Sequence, residues 1–373
     1  MKSIIDFAEA SVLRTDVGKA FEAAFLAGCR EIWVPEGTYR LEGTIEVPSD
    51  TRIELDPKAL IIAASGKAPA RRMHMIANRD PEKGDRNITI RGGIFDGNCG
   101  ENARESYKDP GFIGLMFDFR NVDGLTLEDI EAKNASSYHF RLGGVKNFAI
   151  RRIRFTGLLT PLCQDGIHVC GPSEHGEITD IYAVPGSMGD DLIALNADDD
   201  YKYPHNWGLV PGYIRDVHVK NVVAEDCFTG VRLLSIREEI ADCSFSDMRI
   251  GFREHGVNMD ATRYCMDPLF DNDAYPEGVG AIRNLRMENV TMWKTTPGRP
   301  VFTFETNCDH FVVKNFRRLR EKEPENDAPT LLLRNLAKSR VTVNGEEQIL
   351  LPGETAAFDP DCMDLVVERI CGD

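Results

Sequence analysis

Ile150-Arg151-Arg152-Ile153, then Ile167-His168-Val169, then Ile178-Thr179-Asp180-Ile181 is the stretch whose reading decides the fold. It holds one phrase twice: an apolar residue, two mostly polar residues and an apolar residue. An alternating triplet lies between the copies. Upstream the phrase is Leu127-Glu128-Asp129-Ile130. Downstream it returns as Val219-Lys220-Asn221-Val222, Ile240-Ala241-Asp242-Cys243, Met287-Glu288-Asn289-Val290 and Val313-Lys314-Asn315-Phe316. The closest copies are 21 to 28 residues apart, and the longer gaps are read as insertions, at 196–213 and 253–280.

Each phrase is followed by a short alternating strand: Phe140-Arg141-Leu142, Ile167-His168-Val169, Ile193-Ala194-Leu195, Val231-Arg232-Leu233 and Val301-Phe302-Thr303-Phe304. Alternation sends one face to a core and the other outward. Long helical periodicity is absent here. Short strands at a solenoid period predict an all-β chain folded as a right-handed parallel β-helix. One coil cannot bury its apolar face alone, whereas stacked coils share a continuous core. A β-propeller would need longer blades with their own signatures.

The ends read differently. Residues 15–28 form one amphipathic helix that Thr15 or Asp16 can cap and Gly28 can end, a candidate N-terminal lid. Residues 329–373 read as short strands around Asn344-Gly345 and Pro352-Gly353. The expected division is therefore a β-helix with its N-terminal helical cap over 1–328, and a C-terminal β cap over 329–373.

Composition narrows the partners. A net charge of −16 argues against nucleic acid. No run of about twenty apolar residues exists, so no membrane span is expected. Acids interrupt Met1–Ala10 where a signal peptide would be apolar, which points to a cytoplasmic location. The ten cysteines form no CxxC pair. They suit reduced thiols at apolar positions and give no support to zinc.

Stacking the triplets places Arg141, His168, Ala194 and Arg232 in one outward column. Three residues earlier, Tyr138, Asp165, Asp191 and Thr229 form a second. Asp190 stands beside Asp191 at a corner. Three carboxylates from two adjacent coils thus meet next to cationic or titratable side chains, with Ala194 leaving an open place among them. Crowded anions raise the pKa of at least one member, so one carboxyl can act as an acid while another acts as a base. Turn chemistry is the competing explanation, because Asp-Gly and Asp-Asp at strand ends often bond their own backbone.

At these residues the chain resembles the polygalacturonase-type glycoside hydrolases, which share a pectin-lyase-like β-helix. Cys163-Gln164-Asp165-Gly166-Ile167 stands for that family's Asn-Thr-Asp-Gly motif. Gly189-Asp190-Asp191 stands for its Gly-Asp-Asp, and Gly230-Val231-Arg232-Leu233-Leu234 for its Arg-Ile-Lys. Gly93-Ile94-Phe95-Asp96-Gly97-Asn98 and Trp33-Val34-Pro35-Glu36-Gly37-Thr38-Tyr39 resemble its early turns. The resemblance implies inverting hydrolysis, with Asp191 as acid, Asp165 and Asp190 holding the water, and no metal or other cofactor. It departs in two places. No Gly-His-Gly lies between Asp191 and Arg232; His175-Gly176 comes a coil early, and Glu254-His255-Gly256 falls late, inside the second insertion. Leu234 replaces the lysine, so Arg232 alone would meet a uronate.

The expected ligand is an oligosaccharide, pectin-related if the resemblance extends to substrate. His168 either touches it or bonds Asp165, and Arg232 either touches it or pairs with Asp191. Arg141 is placed on a solvated face or an outer subsite. The 196–213 insertion offers Lys202, His205 and Trp207 for binding, and Asp198 to Asp200 as a solvated turn or a calcium site. Arg253, His255, Arg263 and Tyr264 could overhang the same cleft. Three functions compete: a hydrolase, a polysaccharide lyase on the same fold, and a non-catalytic sugar-binding β-helix.

Overall fold

The computed structural model describes residues 1–66, 74–103, 114–159, 163–198, 206–259 and 277–371. Their strands stack as a parallel β-helix. One coil shows the construction. Phe140–Gly143 leads into Lys146–Thr156, which bends at Arg152, and the chain returns through Asp165 to Ile167–Cys170. That last strand pairs in parallel with the first, Phe140 against Ile167 and Arg141 against His168. The same step repeats to Asp191–Asn196, to the end of Ile214–Leu234, and to Phe302–Phe304 through Ser244–Met259.

The register makes a single outward column of Glu46, Ala77, Asp118, Arg141, His168, Ala194, Arg232, Asn258 and Thr303. The residues on either side of each member point inward. Phe95, Phe117, Phe140 and Phe155 meet there, Phe117 and Phe140 stacked at 4.6 Å. Stacking identical inward positions is what buries an alternating strand too short to bury itself.

The third residue of the repeated phrase has a physical reason. Asp129, Arg152, Asp180, Asn221, Asp247, Asn289 and Asn315 all have φ between 53° and 59°. This left-handed corner costs an ordinary residue roughly 1–2 kcal/mol, and Asn or Asp least. Side chains then bond along the corner. Asn221 Nδ2 donates to Asp180 Oδ1 at 2.7 Å, Asn289 Nδ2 to Asp247 Oδ1 at 3.0 Å, and Asn315 Nδ2 to Asn289 Oδ1 at 2.8 Å.

Two expectations about the repeat are corrected. Ile240-Ala241-Asp242-Cys243 lies on a different corner, where Ile240 pairs with Ile214 and Ile282 and where Asp216, Asp242, Asn284 and His310 are left-handed. The copy belonging to the first series is Phe245-Ser246-Asp247-Met248. In addition, the start of the 253–280 insertion is strand: Ser244–Met259 runs unbroken and pairs along Ile214–Leu234.

The N-terminus carries a 3₁₀ turn at Ile4–Phe7 and two short helices, Ala10–Thr15 and Val17–Leu26, where one was expected. Asp16 caps the second, its carboxylate accepting from the Gly18 amide. Val17, Ala20, Phe21, Ala24 and Phe25 are buried against the first coil. At the other end Leu331–Arg334 still pairs in parallel with Phe302–Phe304. Thr355–Phe358 and Cys362–Arg369 then add antiparallel. Among the described residues no helix is long and apolar enough to cross a membrane.

Candidate active site

The second column exists in the structure. Asp191 pairs with Thr229, and Thr229 with His255. Asp165 joins it through the backbone: the Gly166 amide donates to the Asp191 carbonyl at 2.9 Å, and the His139 amide to the Asp165 carbonyl at 2.9 Å. Gly166 makes this closeness possible. A Cβ there would stand 2.4 Å from the Leu192 carbonyl oxygen. The Asp-Gly pair therefore reflects tight approach of two coils, not a turn. The Asp190 amide donates to the Gln164 carbonyl at 3.3 Å, and Gln164 Nε2 donates to Ala135 and Leu158 carbonyls at 2.9 Å.

His168 Nδ1 lies 2.6 Å from Asp165 Oδ2. The ring stacks on Tyr138 at 4.4 Å and 11°, and Asn196 Nδ2 lies 3.3 Å from Nε2. A neutral ring donating from Nδ1 to the carboxylate leaves Nε2 to accept from that amide. His168 is thus held by Asp165, one of its two expected roles. His139 faces the core, edge-on to Phe155 at 4.9 Å, with Nδ1 2.8 Å from the Asp165 carbonyl; burial pushes its pKa down to about 4.

The carboxyls are perturbed in the direction acid catalysis needs. Burial, then the charge of Asp165, pushes Asp190 up to about 7; Arg232 and His168 oppose this without cancelling it. Burial, then the charge of Asp190, pushes Asp191 up to about 7 against Arg232, His168 and a hydrogen bond with Thr229. At neutral pH this cluster therefore holds a proton that an exposed aspartate would have lost.

The outward face is covered, contrary to expectation. Asp165 is 3% exposed, Asp191 6%, and Ala194 is fully buried, so Ala194 is no open place. Asp190, half-buried, is the acid nearest solvent. Arg141 is not on a solvated face. It is fully buried, its Nε and Nη2 donating to the two Asp118 oxygens at 2.8 and 2.9 Å. A planar guanidinium held on both oxygens is committed to that carboxylate rather than to a ligand. His74 and Arg120 also flank Asp118, at 3.4 and 3.5 Å.

Trp207 lies beside this column, 37% exposed, with the Arg120 guanidinium 4.8 Å from its ring. Its neighbour Asn206 accepts from Tyr138 Oη at 3.2 Å. Lys202 and His205 lie outside the described residues, as do Asp199, Asp200, Arg263 and Tyr264. Asp198 is buried rather than solvated. Its Oδ2 accepts from the amides of Ile236, Arg237 and Glu238 at 2.7, 2.8 and 2.7 Å. Arg253 does not overhang the cleft but pairs with Asp226 and the Met188 carbonyl. Among the described residues no group of three acidic, histidine or cysteine side chains could hold a metal ion.

His255 is the residue the sequence reading misplaced. It stands in the acids' own column, two rungs beyond Asp191, buried, with Nδ1 3.1 Å from Thr303 Oγ1. The clue was present. His255-Gly256-Val257-Asn258-Met259 repeats the pattern of Thr229-Gly230-Val231-Arg232-Leu233, glycine included, and a Cβ on Gly230 would stand 2.6 Å from the Gly256 carbonyl oxygen.

No family model matches the chain. A polygalacturonase from Gossypium barbadense is 27% identical over 196 residues, 49% of this chain and 46% of that protein. One from Nicotiana tabacum is 24% identical over 209 residues, 53% of this chain and 50% of that protein. The chain thus matches about half the length of these relatives. Among solved structures, the hyperthermoactive exopolygalacturonase from Thermotoga maritima superposes with a TM-score of 0.57 at 15% identity, over 96% of this chain and 95% of that one. The N-terminal fragment of bacteriophage phi29 gene product 12 gives 0.63 at 14% identity, over 88% of this chain and 56% of that one. The chain has polygalacturonases among its distant homologues, and its fold is the pectin-lyase-like parallel β-helix.

Proposed function

We propose that the chain is a glycoside hydrolase acting on an oligosaccharide of the pectin type. The observation that carries this reading is the meeting of Asp165, Asp190 and Asp191 on adjacent coils, with two of the three carboxyls raised to about 7. Asp191, protonated, gives its proton to the glycosidic oxygen as the bond to the anomeric carbon breaks. Asp190 and Asp165 take a proton from the water whose oxygen bonds that carbon, and inversion follows from attack on the opposite face. Arg232 lies close enough to both acids to depress their pKa values, and it offers the cationic contact for a uronate. His168 orients Asp165 through the 2.6 Å contact between its Nδ1 and Asp165 Oδ2.

The test is a set of defined plant and bacterial oligosaccharides with products identified by mass. Hydrolysis adds one water across the cleaved bond; a lyase instead leaves an unsaturated product that absorbs in the ultraviolet. Asp191→Asn should abolish turnover while retaining the fold. Full activity in that variant would remove Asp191 from the reaction. The burial of Asp165 and Asp191 favours a second reading, a non-catalytic sugar-binding β-helix. Saturable binding without turnover across the set would establish it.

A further inference from the structure

A second groove lies away from the acids. It encloses about 600 Å³ and is lined by Trp33, Gly92, Gly93 and Ile94 together with charged side chains from the four coils that follow the one carrying Trp33. Its course follows the ladder Trp33, Glu54, Arg91, Glu128, Arg151, each paired in parallel with the next. Four steps at about 4.8 Å make a track of about 19 Å, long enough for several linked units rather than one ring. Arg154 and Asp165 belong to the same coil but to different corners of it, so this track does not lead into the acid cluster.

The floor is bare for a steric reason. Gly92 and Gly93 stand where the next coils carry Asp129-Ile130 and Arg152-Ile153. A Cβ on Gly92 would meet the Leu55 carbonyl oxygen at 2.3 Å, and one on Gly93 would meet Leu55 Cδ2 at 2.8 Å. The tight corner excludes side chains at this rung and leaves a notch in an otherwise continuous row of polar groups.

The lining charges balance. Arg91, Arg152 and Arg154 face Glu54, Asp129 and Glu131. Asp129 already accepts from Arg91 at 2.9 Å and Arg152 at 2.5 Å, Arg52 binds Glu54, and Thr156 donates to Glu131 at 2.8 Å. Two groups remain uncommitted. Among the described residues, neither the Trp33 indole N–H nor the Arg154 guanidinium has a hydrogen-bond or ion-pair partner; Arg154 rests over the Tyr182 ring at 5.2 Å. A groove with no net charge selects neither an anion nor a cation. Carboxylate acceptors beside guanidinium donors suit hydroxyl groups, which both donate and accept. An aromatic face at one end suits the C–H face of a pyranose.

We infer that this groove is a second, non-catalytic binding site for a neutral glycan chain, running from Trp33 at one end to Arg154 at the other. It does not depend on the hydrolase reading, because it shares no residue with the acid cluster. The test uses the full chain titrated with galactotetraose, cellotetraose and tetragalacturonate, followed by calorimetry and tryptophan fluorescence. One neutral tetrasaccharide should bind saturably. Arg154→Ala, on an exposed side chain, and Trp33→Ala should each weaken that binding about tenfold or more, while Arg232→Ala leaves it unchanged. Trp33→Phe should keep binding but remove its fluorescence signal. The inference is overturned if no neutral tetrasaccharide binds, if Arg154→Ala has no effect, or if only tetragalacturonate binds in an Arg154-dependent way.

Discussion

Replacing Asp191 by Asn should make the protein more stable at alkaline pH while removing the proposed hydrolase activity. The Asp191 carboxyl is 6% exposed and is held at about 7 in the fold, against an ordinary value of 3.8. A carboxyl whose folded pKa is raised binds its proton more tightly when folded. Its contribution to stability is therefore fully present below about 3.8 and is lost as pH rises through about 7. A difference of about 3 pKa units, at 1.36 kcal/mol each, means about 4 kcal/mol withdrawn between pH 4 and pH 8. The amide carries no charge at any of these pH values and escapes that loss.

The quantity to measure is the change in stability of Asp191→Asn relative to the parent at pH 8, minus the same change at pH 4. Urea midpoints followed by circular dichroism give both, provided the slopes agree between the two proteins. Any packing difference between amide and acid appears at both pH values and cancels. The expected result is relative stabilisation of about 2–4 kcal/mol at pH 8, with little near pH 4. Equal effects at the two pH values would refute the claim that burial and Asp190 hold this carboxyl protonated, and with it the assignment of Asp191 as acid. In the parent, kcat/KM should fall above about pH 7, where the acid loses its proton.

Other perturbations test other parts of the molecule. Arg141→Ala leaves Asp118 buried without its bidentate partner and should cost roughly 3–5 kcal/mol in urea unfolding, whereas loss of substrate affinity without loss of stability would return Arg141 to the binding site. Asp198→Ala removes the acceptor of three amides and should cost about 3 kcal/mol or more; an unchanged midpoint would show that water replaces it. Asn289→Ala keeps a left-handed corner but loses the bonds to Asp247 and Asn315, and should cost about 1–3 kcal/mol by the same assay.

The rungs were legible because alternation has a period of two and a solenoid repeats its pairing. Arg141, His168, Ala194 and Arg232 fell into one column from spacing alone, and the backbone pairings agree. Assigning a corner was harder. The phrase apolar-polar-polar-apolar marks any left-handed corner, and each coil in this region has two, so Ile240-Ala241-Asp242-Cys243 could be entered in the wrong series. His255 was missed because a long gap between phrases was taken as insertion from its first residue. The glycine at Gly256, where a Cβ would stand 2.6 Å from Met292 Sδ and 2.9 Å from the Val301 carbonyl oxygen, was the better guide.

What period could not convey is which outward faces reach solvent. Alternation separates the core side from the other side, and that other side is free only where nothing lies on it. Here Asn206 bonds Tyr138, Trp207 rests on Arg120, and Leu209 lies against Gly143, all beside the column that spacing read as exposed. The consequence bears directly on chemistry. Desolvation is the largest cause of the raised pKa of both Asp190 and Asp191, ahead of any neighbouring charge. The three carboxylates could be found by counting residues, but the raised pKa of Asp190 and Asp191 comes first from burial, which counting could not see.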